Sequence, residues 1–82
     1  MEDGLVAVVK RDCPTCRLVE PVLAGLSRSP GLTVFTQDDP AFPEGVADRR
    51  DDTELGTSLA LDIETVPTLV RFVGGVEAGR VV

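Results

Sequence analysis

The two cysteines of the chain stand three positions apart, in the segment Cys13-Pro14-Thr15-Cys16. This spacing fits a redox-active pair and also half of a zinc site. The other half of a zinc site is missing, because the sequence has no histidine and no further cysteine. The sequence therefore predicts a dithiol that can form a disulfide, with no metal and no cofactor.

The residues around the cysteines predict that the two thiols differ. Proline is well suited to the first helical position, so Pro14 predicts a helix with Cys13 at its N-cap and Cys16 in its first turn. Residues three apart on a helix lie about 5–6 Å apart, which is close enough for a disulfide. Unpaired N–H groups and the helix dipole favour a thiolate there, so Cys13 should titrate below the free-thiol value of about 8.5. We expect Cys13 to be the nucleophile and Cys16 the resolving thiol.

The alternative for Cys13 and Cys16 is a static buried disulfide or two inert thiols. A four-residue loop gains little stability from closure, which weakens that alternative. The first residues, Met-Glu-Asp-Gly, are acidic and lack the basic region of a signal peptide. We therefore expect a reducing compartment, the cytoplasm, where a pair of this spacing is more often catalytic than structural.

The composition bounds the class of protein. The chain has 82 residues, of which 43% are hydrophobic, and this predicts one globular domain over residues 1–82. Fourteen acidic residues against eight basic ones give a net charge of −6, which disfavours nucleic acid and anionic membranes as partners. No apolar run approaches the roughly 20 residues that span a bilayer.

The N-terminal half reads as strand, helix and strand. Residues 5–9 form an apolar β-branched run, residues 14 to about 28 have helical periodicity, and residues 32–36 read as a second strand. This order implies a right-handed crossover between parallel strands. One apolar stripe is expected along the helix: Leu18, Val19, Val22, Leu23 and Leu26. The segment Ser29-Pro30-Gly31 is expected to close the helix.

Pro21 lies inside the predicted helix. It removes the hydrogen bond to the carbonyl group of Arg17 and should kink the helix. A proline in a helix interior costs about 3 kcal/mol, so its presence indicates a structural reason.

Residues 37–52 contain two prolines, one glycine and six acidic residues, which predicts a long loop. It can be a solvated linker, or a carboxylate metal site built on Asp38 and Asp39, although the spacing of a calcium loop is absent. The carboxyl ends of parallel strands meet at one edge of a sheet, so we expect this loop near Cys13. An acidic loop there could select basic partners.

The last third of the chain reads as a short helix and a hairpin. Thr53 is the expected N-cap of a helix that carries Leu55, Leu59 and Leu61. Residues 68–73 and 76–82 read as strands joined by the two-residue turn Gly74-Gly75.

These motifs together resemble the thioredoxin superfamily. The resemblance is carried by Cys13-Pro14-Thr15-Cys16, by Pro21 eight positions after the first cysteine, and by Val66-Pro67-Thr68-Leu69. It covers nearly the whole chain except residues 37–52. It implies an α/β minimal thioredoxin fold of order β-α-β-α-β-β, with parallel first strands, an antiparallel C-terminal hairpin and no terminal helix.

The resemblance also implies a function, thiol–disulfide exchange with protein disulfides and an unidentified thiol reductant. Cys13 would attack the substrate disulfide, Cys16 would release the product, and Val66 would offer backbone hydrogen bonds to the substrate. The Val66–Pro67 bond would be cis and lie against the dithiol, while Pro14 and Pro21 would be structural. The alternative is a non-catalytic recognition module, a thioredoxin-like domain that docks peptides or another domain.

The chain departs from the thioredoxin pattern at several positions. Asp12 replaces an aromatic residue before the first cysteine, and Ala7 replaces a buried acid in the first strand. We expect Asp12 to oppose the thiolate, and Arg11 and Arg17 to support it. The order Cys-Pro-x-Cys and the segment Thr65-Val66-Pro67 are closer to glutaredoxins.

The terminal helix of the family is not encoded, so part of one sheet face should be uncovered. Large apolar patches seldom stay exposed in monomers. We expect this chain to be a fragment or N-terminal domain of a longer protein, or to be covered by a partner chain as a dimer or by a covering domain.

Overall fold

A computed structural model describes residues 4–27 and 31–82. Its elements in chain order are β1 (Gly4–Val9), α1 (Pro14–Leu26), β2 (Leu32–Thr36), β3 (Arg49–Asp51), α2 (Gly56–Ala60), β4 (Thr68–Val73) and β5 (Val76–Val81). The predicted helix end at Arg28 and the closing residues Ser29 and Pro30 lie outside the described residues. None of the described helices is long and apolar enough to span a membrane.

The strands form one five-stranded sheet in the order β3-β2-β1-β4-β5. β1 pairs with β2 in parallel, as the strand-helix-strand pattern predicts, and β2 pairs with β3 in parallel. β4 is antiparallel to both β1 and β5. The predicted α/β fold class, a minimal thioredoxin fold, is confirmed, with one strand more than the sequence pattern indicates.

β1 lies at the centre of the sheet because its side chains are apolar on both faces. Ala7 and Val9 belong to a buried cluster on the α1 side, which also contains both cysteines. Val6 and Val8 belong to a second buried cluster on the opposite face, together with Phe35, Val70 and Phe72. The strand that leads into the dithiol is therefore fixed by packing on both sides.

The start of β1 depends on two glycines. Gly4 has φ +141°, and the N–H group of the next residue, Leu5, donates to the carbonyl oxygen of Gly31 at 2.7 Å. A Cβ atom built at Gly4 would overlap that same oxygen. This close approach places the start of β2 beside the start of β1.

α1 begins at Pro14, as predicted, and carries Pro21 in its interior. The predicted apolar stripe is only partly buried. Leu23 is buried and Val19 packs against the same cluster, whereas Leu18 is 78% exposed, Val22 60% and Leu26 39%. Four of the five residues line one open cavity between the helix and the sheet, which leaves some of them exposed: Val19, Val22, Leu23 and Leu26.

An open apolar cavity of about 490 Å³ lies between α1 and the sheet. Its lining includes Val22 and Leu26 of α1, Leu69 of β4 and Val81 of β5, and it extends to Pro67. We call this cavity the apolar groove. It lies on the face that the sequence predicts to be uncovered.

The acidic segment 37–52 is more ordered than the predicted loop. Residues Arg49–Asp51 form the edge strand β3, in register with Val34, Phe35 and Thr36 of β2. All three residues of β3 are exposed. Charged residues suit an exposed edge strand, but such a strand has no apolar alternation that the sequence could reveal.

The predicted N-cap of α2 is wrong. The helix begins at Gly56, and its N-cap is Leu55 in the left-handed conformation, with φ 64° and no side-chain cap. The buried carboxylate of Asp52 accepts the N–H groups of Thr57 and Ser58, each at 2.9 Å. Asp52 replaces Thr53 as the capping side chain because it reaches the first turn from within the fold. Of the apolar residues expected on this helix, Leu59 is 78% exposed.

The C-terminal hairpin is confirmed. Val73 pairs with Val76 across Gly74 and Gly75, whose φ angles of 61° and 79° suit a two-residue turn. The Gly74-Gly75 sequence meets this need for positive φ without steric cost.

Candidate active site

Cys13 lies at the N-cap of α1, as the sequence predicts. Its backbone is extended, with φ −156° and ψ 110°, and its sulfur accepts the N–H group of Cys16 at 3.2 Å. Its carbonyl oxygen accepts the N–H group of Arg17 at 3.1 Å, which begins the helical hydrogen bonding. Both thiols are free. The helix N-terminus therefore presents a backbone donor directly to the Cys13 sulfur.

The two cysteines differ in access. Cys13 is 8% exposed and borders a cavity at the surface, whereas Cys16 is 0% exposed and lies inside the α1-side cluster. A substrate sulfur can approach Cys13 but not Cys16 without a change of structure.

The pKa of the Cys13 thiol lies below its ordinary value. Burial by itself raises this pKa, but hydrogen bonds from the Cys16 side chain and from the backbone N–H groups of Cys16 and Thr15 lower it, as does the charge of Lys10. Donors aimed at the sulfur stabilise the thiolate more than the thiol. The sum favours a nucleophilic Cys13.

The pKa of the Cys16 thiol is raised to about 12, first by burial and then by its hydrogen bond to Cys13 and by repulsion from the Cys13 charge. A backbone hydrogen bond from Lys10 and the charge of Lys10 act in the opposite direction. The pKa values of the two thiols therefore move in opposite directions, downward for Cys13 and upward for Cys16.

A cation that supports the thiolate is Lys10, to which the sequence did not point. The guanidinium of Arg11 is paired with the carboxylate of Asp39 and lies over the ring of Phe42, 5.2 Å from its centroid. Asp12, which we expected to oppose the thiolate, is exposed.

Val66 and Pro67 lie beside the dithiol. The thiol of Cys13 donates to the carbonyl oxygen of Val66 at 3.6 Å, a contact between residues 53 positions apart. The Val66–Pro67 peptide bond is cis, and so is the Phe42–Pro43 bond, for which the sequence analysis makes no prediction. The two prolines expected to be structural, Pro14 and Pro21, are both exposed on α1.

A cavity of about 400 Å³ opens in front of Cys13. It is lined on one side by Lys10 and Asp12 and on the other by Gln37, Glu64 and Val66. Sequence reasoning missed Lys10, Gln37 and Glu64 as site residues. Lys10 and Gln37 each directly follow a strand of the parallel pair, which is the signal that could have revealed them.

The acidic segment reaches the dithiol, as expected. The carboxylate of Asp38 accepts the backbone N–H groups of Arg11 at 2.7 Å and Asp12 at 2.9 Å. Burial raises the pKa of Asp38, but these bonds and the N–H group of Asp39 more than offset it and hold that pKa below its ordinary value. Asp39 binds Arg11 and the N–H group of Ala41. Within the described ranges, no group of three or more acidic, cysteine or histidine side chains could hold a metal.

Comparison with known proteins bears on the class of this site. No family model matches the chain, and no curated protein matches its sequence. Among solved structures, the chain is similar to thioredoxin O2 from Arabidopsis thaliana in its oxidized state, with a TM-score of 0.63 and 29% identity. The match covers 96% of this chain and 61% of that chain. The fold is thioredoxin-like, and the chain spans less than two thirds of the protein it resembles.

Proposed function

We propose that this chain is a thiol–disulfide oxidoreductase that exchanges its Cys13–Cys16 dithiol with protein disulfides. The observation that carries the proposal is the unequal pair: Cys13 is an N-cap thiol of lowered pKa at the edge of a cavity, and Cys16 is a fully buried thiol of raised pKa directly behind it. Similarity to a thioredoxin supports the same class of chemistry.

In the first step, the Cys13 thiolate attacks one sulfur of the substrate disulfide. A bond forms between Cys13 and that sulfur, the substrate S–S bond breaks, and the second substrate sulfur leaves as a thiolate that takes a proton from solvent. In the second step, Cys16 loses its proton and attacks the Cys13 sulfur. This releases the remaining substrate thiolate and leaves the Cys13–Cys16 disulfide, so two electrons pass from the dithiol to the substrate.

Val66 is proposed to hold the substrate during both steps. Its carbonyl oxygen lies 3.6 Å from the Cys13 sulfur. A substrate peptide that binds along the backbone of Val66 is therefore brought against the reactive thiol. Backbone hydrogen bonds of this kind do not depend on the substrate side chains, which suits a range of protein substrates. Pro67 follows at the entry to β4 and keeps this segment next to Cys13.

A thiol reductant must return the disulfide to the dithiol after each cycle. We propose a reducing compartment, the cytoplasm, because low-molecular-weight and protein thiols are available there to supply the two electrons. The reductant itself is a thiol partner that the assay below replaces with dithiothreitol.

The proposal is tested by reduction of insulin disulfides in the presence of dithiothreitol. We expect the chain to accelerate the reaction over dithiothreitol alone, and Cys13→Ser to abolish the acceleration because it removes the nucleophile. Cys16→Ser, reduced beforehand and incubated with insulin without dithiothreitol, should instead accumulate a mixed disulfide between Cys13 and the substrate, visible by mass spectrometry, because the resolving thiol is gone.

Thr15→Ser, which changes the segment between the cysteines but neither thiol, is the matched control and should retain turnover. An unaccelerated reaction with a folded chain, at any concentration of donor, would contradict the proposal. That outcome would favour the second candidate, a non-catalytic docking module, for which the apolar groove beside Pro67 is the supporting observation.

A further inference from the structure

The carboxylate of Asp38 binds the backbone directly before the reactive cysteine. Its Oδ1 atom accepts the N–H group of Arg11 at 2.7 Å, and its Oδ2 atom accepts the N–H group of Asp12 at 2.9 Å. These contacts join positions 27 and 26 residues apart in the sequence. A carboxylate that accepts two adjacent backbone N–H groups fixes the direction of both peptide planes, because each bond is directional.

Asp38 is itself held in place by the sheet. The N–H group of its neighbour Gln37 donates to the carbonyl oxygen of Val9 at 2.9 Å, which continues the pairing of β2 with β1. The hydroxyl of Thr36 donates to the carbonyl oxygen of Asp39 at 2.9 Å. The segment after β2 is therefore joined to the sheet by hydrogen bonds.

A second contact ties the same two segments together. The Asp39 carboxylate pairs with the side chain of Arg11, whose guanidinium lies over the buried ring of Phe42. Arg11 is thus bound through its backbone by Asp38 and through its side chain by Asp39.

The Asp38 carboxylate is the acceptor for two backbone N–H groups of the turn before Cys13. After Val9 the chain leaves the sheet. The N–H group of Cys13 then donates a hydrogen bond to the carbonyl oxygen of Arg11 at 2.8 Å. The N–H groups of Arg11 and Asp12 would be left to solvent without the Asp38 carboxylate. The extended backbone of Cys13, on which its N-cap position depends, is the end point of this turn.

We propose that Asp38 is a positioning residue for the dithiol, because it holds the backbone of Arg11 and Asp12 and thereby fixes Cys13 at the N-cap of α1. This role for Asp38 rests on the proposed function, because a positioned Cys13 matters only if Cys13 reacts. The reactivity of the Cys13 thiol can nevertheless be measured without turnover. It assigns a role to the acidic segment that composition alone describes as a linker.

The charge of Asp38 and its geometry act on Cys13 in opposite directions. A nearby carboxylate disfavours a thiolate, whereas an N-cap sulfur that keeps its backbone donors is favoured as a thiolate. The other ionisable groups that face Cys13 are Cys16 of α1, Lys10 and Asp12 of the turn, and Glu64 of the segment before β4. None of them is itself substituted in the Asp38 variants.

The test compares Asp38→Ala with Asp38→Asn by the rate of Cys13 alkylation with iodoacetamide across pH. Both variants lose the same charge, but only asparagine keeps an oxygen that can accept a backbone N–H group. We expect Asp38→Ala to be alkylated roughly three- to tenfold more slowly than Asp38→Asn at neutral pH, with a profile displaced to higher pH, because the thiolate loses its aligned donors.

Asp51→Ala is the matched control, since Asp51 also accepts a backbone N–H group, that of Thr53 at 2.8 Å, but lies on the edge strand β3. Its profile should equal that of the unmodified chain. Circular dichroism checks that each variant folds, and Asp38→Ser, with a shorter acceptor, replaces Asp38→Ala in the comparison if that variant does not.

Equal profiles for Asp38→Ala and Asp38→Asn would overturn the inference, because the charge alone would then account for the effect of Asp38. Failure of the proposed function has a different signature: insulin reduction would be absent in the unmodified chain while Cys13 still alkylated at low pH. The two outcomes are read from separate assays and cannot be confused.

Discussion

At the scale of residues, the chemistry of the dithiol follows from the difference between two identical side chains. Cys13 meets donors at its sulfur and borders a cavity, whereas Cys16 is fully buried, and the pKa values of the two thiols move in opposite directions. The pKa of Cys16 is raised to about 12, so Cys16 is the less acidic of the two thiols.

The first prediction at this scale concerns Lys10, whose charge lowers the pKa of Cys13. Lys10→Gln removes the cation, so the thiolate is less favoured, the pKa of Cys13 rises, and less thiolate is present at any pH below it. We expect the rate of Cys13 alkylation at neutral pH to fall roughly two- to threefold, the effect of one screened charge.

Arg17→Gln is the control for Lys10→Gln, because it removes one positive charge from an exposed residue of α1 directly after the dithiol. Its alkylation profile across pH should match that of the unmodified chain. A larger effect of Arg17→Gln than of Lys10→Gln would show that the sequence-based expectation was correct after all.

The sequence could predict the position of each cysteine on α1 because the signal is local. Pro14 fixes where the helix begins, and the helix start fixes which sulfur meets the N–H donors. It could not predict that the side chain of Arg11 pairs with Asp39, because the two residues lie 28 positions apart.

At the scale of elements, the long-range contacts that no periodicity reveals are concentrated in the segment 37–52. The apolar strands β1, β2 and β4 were visible as β-branched runs, because burial on the sheet demands such residues. β3 is three charged residues held by pairing with β2, and the N-terminus of α2 is capped by a buried Asp52. In both cases the tertiary partner, and not the local sequence, decides the structure.

The prediction at this scale tests the junction of β1 with the entry to β2. Gly4→Ala places a methyl group against the carbonyl oxygen of Gly31 at a backbone angle that L side chains rarely adopt. We expect the free energy of unfolding to fall by about 1–3 kcal/mol, measured by urea denaturation followed by circular dichroism.

Gly79→Ala in β5 is the matched substitution, because nothing lies within 4 Å of a Cβ atom built there. It should leave the stability unchanged or raise it slightly, since alanine has less conformational freedom in the unfolded chain. Equal losses of stability in both variants would mean that the Gly4–Gly31 approach contributes nothing specific.

At the scale of the whole molecule, the apolar groove leaves hydrophobic side chains exposed to solvent. Val22 is 60% exposed and Val81 69%, and both line the same cavity of about 490 Å³. Each Å² of apolar surface left in water forfeits about 25 cal/mol, and exposed patches of several hundred Å² usually mark an interaction surface. We propose that another chain covers this groove, and for the isolated chain the available partner is a second copy.

The last prediction is therefore that the isolated 82-residue chain self-associates, as measured by sedimentation velocity over a range of concentrations. The net charge of −6 makes two copies repel, so association should strengthen as salt screens that repulsion.

The double variant Val22→Asp, Leu26→Asp should sediment as a monomer, because association would then bury two unpaired carboxylates in an apolar contact. Leu59→Asp is the control, since Leu59 is 78% exposed on α2 and does not line the groove. It should associate as the unmodified chain does, after allowance for one added charge. A chain that stays monomeric at every concentration and salt level would show that the groove does not bind a second copy.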